Sequence, residues 1–174
     1  MALRALPALA VAGTLILTLS GCAGGTGSDA VVIDGRRVSV AEVETTADAV
    51  AASVRGEGGA TLRDEQLVVA ALVSQALAEA AAEQAGQSIT PADRSAALAS
   101  IPGGSQIAED PEARPYADAV GDVVHVENAL GAEAMAAQQV GTSIEVNPRY
   151  GTWDTQQMSL VTGTGSLSLP VSVN

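Results

Sequence analysis

The chain has 174 residues with eight basic and twenty acidic side chains, a formal charge of −12 at neutral pH. That balance disfavours nucleic acid and anionic lipid headgroups, which reward clustered Lys and Arg, while the scattered acids read as a solvated face. The length suits one domain, and a single cysteine excludes an internal disulfide, so the core alone must hold the fold.

The chain opens MALRALPALAVAGTLILTLSGCAGGTGSDA. Arg4 and the amino terminus form a short positive region ahead of an uncharged, mostly apolar run from Ala5 to Leu19. That run is shorter than the roughly 20 residues a spanning helix needs, and Pro7 weakens it further. It reads as a secretory signal. Leu19-Ser20-Gly21-Cys22 resembles the lipobox of bacterial lipoproteins. The resemblance implies cleavage between Gly21 and Cys22, a diacylglyceryl group on the Cys22 sulfur, and acylation of the new amino terminus, with palmitate among the fatty acids. Residues 1–21 are then the signal peptide and residues 22–29, rich in Gly, Ser and Thr, a flexible tether. Two or three acyl chains anchor stably at about 0.8 kcal/mol per buried methylene. The expected location is the extracytoplasmic face of the cell membrane, lipid-anchored. Every basic residue is arginine and phenylalanine is absent, which with the alanine bias points to a GC-rich, actinobacterial genome.

Beyond the tether, Ala30–Asp34 is short, apolar and β-branched, and Asp34-Gly35 is a strong turn pair. Ser39 and Glu42 then form a capping box, predicting a helix from about Val40 to Val54 that the glycines of RGEGGA stop. A second helix starts after Thr61 as N-cap and ends at Gly86, with Leu62, Val69, Leu72, Val73, Ala76, Leu77 and Ala80 on one face. Thr90 caps a third, with Pro91 at its first position and Asp93 in its first turn. After PGGSQIAED breaks the chain, one long helix is predicted from Asp110 to about Val140, ending at Gly141. Its stripe runs through Tyr116, Val120, Val123, Leu130 and Ala134, and Glu127 falls inside that stripe. A buried carboxylate needs a partner, and Arg149 is the candidate. His125 projects to the opposite, solvent-facing side.

Two of the three aromatic residues, Tyr150 and Trp153, lie in SIEVNPRYGTWD, Ser143 to Asp154. A strand cannot stand alone in water, so residues 143–147 are expected to return and pair with residues 30–34. Tyr150 and Trp153 would cover that small sheet and the helix ends, closing a core of small aliphatic residues; gripping a ligand between the two rings is the other reading. The fold expected is mainly α, residues 30–154, with a two-stranded sheet. Residues 155–174 form a Gly/Ser/Thr-rich tail, either disordered or laid on its own domain; Pro170 demotes its alternating SLSLPVSV to an edge or unpaired segment.

VVIDGRRVSVAEVE, ITPAD and IEVNPRYGTWD, in that order, are similar to the N-terminal domain of SurA-type extracytoplasmic chaperones; PrsA-type foldases share the front pattern. The resemblance covers Ala30 to about Asp154. It implies a helical domain whose late strand returns to the first, and a surface that binds unfolded or extended exported polypeptides. Many such proteins insert a parvulin-type prolyl isomerase domain before the last helix, and PGGSQIAEDP is too short to hold one. With one histidine and no phenylalanine the parvulin site is absent too, so isomerase activity is not carried over.

Nothing else in the chain argues for an enzyme. RGEGGA lacks the lysine and preceding strand of a phosphate loop, no Ser/His/Asp set is credible around His125, and Asp64 and Glu65 read as first-turn acids. No catalytic residue, metal site or cofactor is expected, and the peptide-binding residues and oligomeric state are unknown at this level. The leading expectation is a membrane-tethered, non-catalytic chaperone that holds unfolded polypeptides. The competing one is a structural or adaptor lipoprotein for one envelope protein, and a third is a lipid carrier.

Overall fold

The computed structural model describes residues 28–56 and 59–161. The expected signal peptide, the cleavage site at Gly21 and Cys22, the tether up to residue 27 and the last thirteen tail residues lie outside the described residues. The fold is mainly α, with six helices and two small antiparallel sheets among the described residues.

Strand β1 (Asp29–Ile33) meets β2 (Arg36–Ser39) through the turn at Asp34-Gly35. Both turn residues have positive φ, 49° and 81°, which gives the backbone twist a two-residue hairpin needs and explains the Asp-Gly pair. On its other side β1 pairs with β3 (Ile144–Val146), Val31 opposite Val146 and Ile33 opposite Ile144. The long-range return expected from the sequence is therefore present. The sheet has three strands in the order β2-β1-β3 rather than two, because the segment between the turn and the first helix stays extended. A second hairpin, β4 (Thr152–Asp154) with β5 (Ser159–Val161), carries the domain past the boundary expected at Asp154. The Asp154 carboxylate accepts from the backbone N–H of Gln156 and Gln157 and so shapes the hairpin turn.

Three helices begin with complete capping boxes: α1 (Val40–Arg55) with Ser39 and Glu42, α2 (Leu62–Gln84) with Thr61 and Asp64, and α3 (Pro91–Ala99) with Thr90 and Asp93. In each, the N-cap hydroxyl accepts an N3 amide and the N3 carboxylate accepts the N-cap amide, satisfying donors a helix start leaves free. Helix α2 is long and apolar enough to pass for a membrane span, but half of that stretch is buried in the domain. It is the central helix, packed by α1, by two later helices and by the sheet.

The region after α3 departs from expectation. Residues Gly104–Glu109 form a short helix, α4, where a simple break was expected. The predicted single long helix is two: α5 (Arg114–Leu130) and α6 (Ala132–Gln138), broken at Gly131 with φ 84° and ψ 159°. An L-residue rarely holds that φ. The break turns α6 across the far end of α2, where Gln138 donates to the Gln84 side chain. The predicted stripe is also rotated. Ala119, Asp122 and Val126 are fully buried, Tyr116, Val123 and Leu130 lie half-buried at its edge, and Glu127 is exposed. Large side chains mark a face poorly where the closest approach is made by small ones. A Cβ on Gly121 would sit 2.8 Å from Arg94 Cγ and 3.1 Å from the Arg94 carbonyl oxygen, so this glycine sets how near α3 can come. On α2, Leu62 is exposed although the sequence pattern placed it on the core face; it occupies the first helical position, before the helix meets its neighbours.

Candidate functional site

The Asn147–Gly151 turn forms a clasp. Asn147 donates from its side-chain amide to the Asp29 carbonyl, and its side-chain oxygen accepts the Arg149 amide. The Arg149 guanidinium bridges Glu44 on α1 at 2.9 Å and Glu65 on α2 at 2.8 Å, and stands 5.3 Å from the centre of the Tyr150 ring. Gln66 donates to the Tyr150 carbonyl. The expected partnership of Arg149 with Glu127 is thus replaced by one with Glu44 and Glu65, because Glu127 faces solvent. Glu65 is no ordinary first-turn acid either, being buried beneath Arg149.

The Tyr150 ring is completely buried, and its hydroxyl has no hydrogen-bond partner. Burial pushes the phenol up to about 12; the Arg149 charge opposes the rise and nearby carboxylates add to it. Trp153 is nearly buried, with its indole N–H donating to Gln139. One edge of it borders a cleft of about 220 Å³ between β3 and β4. Both rings sit in the main core cluster, so they close the fold, as the structural reading expected, and cannot face each other across a ligand.

A second charged cluster, not foreseen from the sequence, lies inside the helices. Asp122 is fully buried and receives Arg94 through Nε and through Nη2 at 2.9 Å, and Gln75 at 2.8 Å. It pins α2, α3 and α5 together. His125, one turn on, is half-buried instead of solvent-facing, because α3 packs over α5. Among the described residues no three His, Cys, Asp or Glu are grouped to hold a metal ion.

An open groove of about 640 Å³ lies where β2, α1, α2 and the start of α5 meet. Its floor is mostly apolar, with Val43, Val68 and Leu72. One wall carries Ala41 and Thr45 of α1, and the other Pro111 and Pro115, which enter α5. Arg36 and Arg37 stand on the β2 side, while Glu42, Glu112 and Asp118 supply negative charge. Among the described residues that border it there is no aromatic side chain. Neither wall stood out in the sequence: short side chains on an exposed helix face look like ordinary surface, and only the fold brings Pro111 opposite Thr45.

The chain matches no protein-family model, no curated protein and no solved structure.

Proposed function

We propose that the protein is a lipid-anchored, non-catalytic holding chaperone of the SurA N-terminal kind, which keeps exported polypeptides unfolded at the extracytoplasmic face of the membrane. The observation that carries this reading is the groove. An apolar floor with a polar rim is how proteins hold extended chains without strict sequence readout. Its acidic residues suit basic or neutral segments, consistent with the strongly negative chain. The hairpin, the capped α1 and the returning β3 agree with the arrangement that the SurA resemblance implies.

The test is an aggregation assay. The soluble domain, from Ala23 onward, is mixed with two unrelated chemically unfolded proteins and light scattering is followed across substoichiometric to excess ratios. Suppression of both is expected. Suppression of neither, with one envelope protein captured at fixed stoichiometry, would favour an adaptor instead. Independently, Cys22→Ala in the full chain is expected to move the protein from the membrane to the soluble fraction, and continued membrane retention would refute the lipid anchor.

A further inference from the structure

The groove meets β2 along its edge. Alternate residues of a strand point to opposite faces, yet three consecutive ones, Arg36, Arg37 and Val38, border the groove. Among the described residues the edge is unpaired, since the sheet order β2-β1-β3 leaves β2 outermost. Its free groups follow from the register. Asp34 donates to the Ser143 carbonyl and Asn147 to the Ala30 carbonyl, so even-numbered residues of β1 turn their backbone toward β3. Val31 and Ile33 therefore face β2, opposite Val38 and Arg36. In an antiparallel ladder the residue between two bonded pairs turns its N–H and C=O outward, and that residue is Arg37.

The charges around this edge are uneven. The Arg37 side chain is paired with Asp29, which offsets one of the two arginines. Across the groove Glu112 and Asp118 stand without an ion pair among the described residues.

Building on the holding-chaperone reading, we infer that the occupant is an extended, largely apolar polypeptide segment carrying a basic residue. It adds to β2 through the outward N–H and C=O of Arg37, with its basic side chain over Glu112 and Asp118. Strand addition gives affinity from the main chain, so sequence tolerance follows from the geometry. The short edge limits the ladder to one residue of β2, and the walls of α1 and the Pro111–Pro115 segment hold the rest. An acidic client segment is repelled.

The test uses the full chain with fluorescein-labelled synthetic peptides alternating valine and threonine around one arginine, read by fluorescence anisotropy. A matching peptide carries glutamate in place of arginine. Two more are N-methylated at alternate residues, one pattern on each edge. The arginine peptide is expected to bind about fivefold tighter than the glutamate one, as an exposed charge contact allows. That preference should vanish in the double variant Glu112→Gln/Asp118→Asn, at unchanged thermal stability. One N-methylation pattern should abolish binding and the other leave it, and hydrogen exchange at the Arg37 amide should slow when peptide binds. Equal binding of both methylated peptides would overturn strand addition. If aggregation is still suppressed in that case, the holding reading survives it. An Arg37 amide already protected without peptide would also overturn the proposal, by showing the edge filled by the chain's own C-terminal segment or a second copy. A protein that binds none of the peptides and suppresses no aggregation would lose both readings.

Discussion

The clasp and the groove treat apolar surface in opposite ways. At the clasp, two of the three aromatic rings are spent on closure: Tyr150 is fully buried, Trp153 nearly so, and Arg149 ties the turn to two helices. At the groove no ring is among the described lining residues, and the walls carry short side chains and prolines above a floor of the core residues Val43, Val68 and Leu72. The buried rings make the clasp structural, whereas the groove leaves room for a ligand.

That contrast predicts mutations that separate stability from binding. The largest stability effect belongs to the cluster that holds the helices together. Arg94→Ala leaves Asp122 buried without its cation, and the cost is about 3–5 kcal/mol, read as a lower urea midpoint. A double replacement of Arg94 and Asp122 by leucine should recover much of that loss, since a well-packed apolar pair can match a buried ion pair. If Arg94→Ala is silent, the cluster does not pin α3 to the core.

Tyr150 gives the next test. Tyr150→Ala should cost roughly 3 kcal/mol or more by leaving a ring-sized cavity, whereas Tyr150→Phe should be neutral or slightly stabilising, because the hydroxyl it removes has no partner. Neither should change peptide affinity in the folded protein. A Phe variant as damaged as the Ala one would mean that the hydroxyl, not the ring, matters.

The smallest effect expected is on the pH dependence of stability. Backbone and side-chain hydrogen bonds from Ser39 lower the Glu42 carboxyl, and those from Thr90 lower Asp93. Arg55 and then Thr61 hold Asp64 well below the usual carboxylate range. Each native carboxyl thus binds its proton less readily than the unfolded chain does, so folding is favoured more as pH rises. The contribution is complete above roughly pH 5 and fades as pH falls through about 4 and below. Thermal melts in dilute salt should show it, and Thr61→Ala should both lower the melting temperature, by about 1 kcal/mol of stability, and flatten the acid limb. A limb unchanged by Thr61→Ala would assign the acid sensitivity to other carboxylates.

Much of the fold was legible in the sequence because local signals repeat there. The Asp34-Gly35 turn and the pairs Ser39/Glu42, Thr61/Asp64 and Thr90/Asp93 each carry their own geometry in adjacent residues, and an unpaired SIEV required a partner strand. The rotated face of α5 and the break at Gly131 were not legible. Alanine is equally at home on either face, so Ala119 and Ala117 gave no direction, and an isolated Gly131 in a helical pattern carries no sign of where the chain turns. The pairing of Asp122 with Arg94 spans elements that only packing brings together. The groove was hidden for a related reason: it is a property of what does not fill the space between Thr45 and Pro111.

The most direct test of the central claim is aggregation suppression by Thr45→Trp, which plants a ring in the groove from an exposed position on α1. Light scattering of two unrelated unfolded proteins should be suppressed by the wild type and not by Thr45→Trp, at the same melting temperature. Equal suppression by both, or none by the wild type, would contradict the assignment of this groove as the holding site.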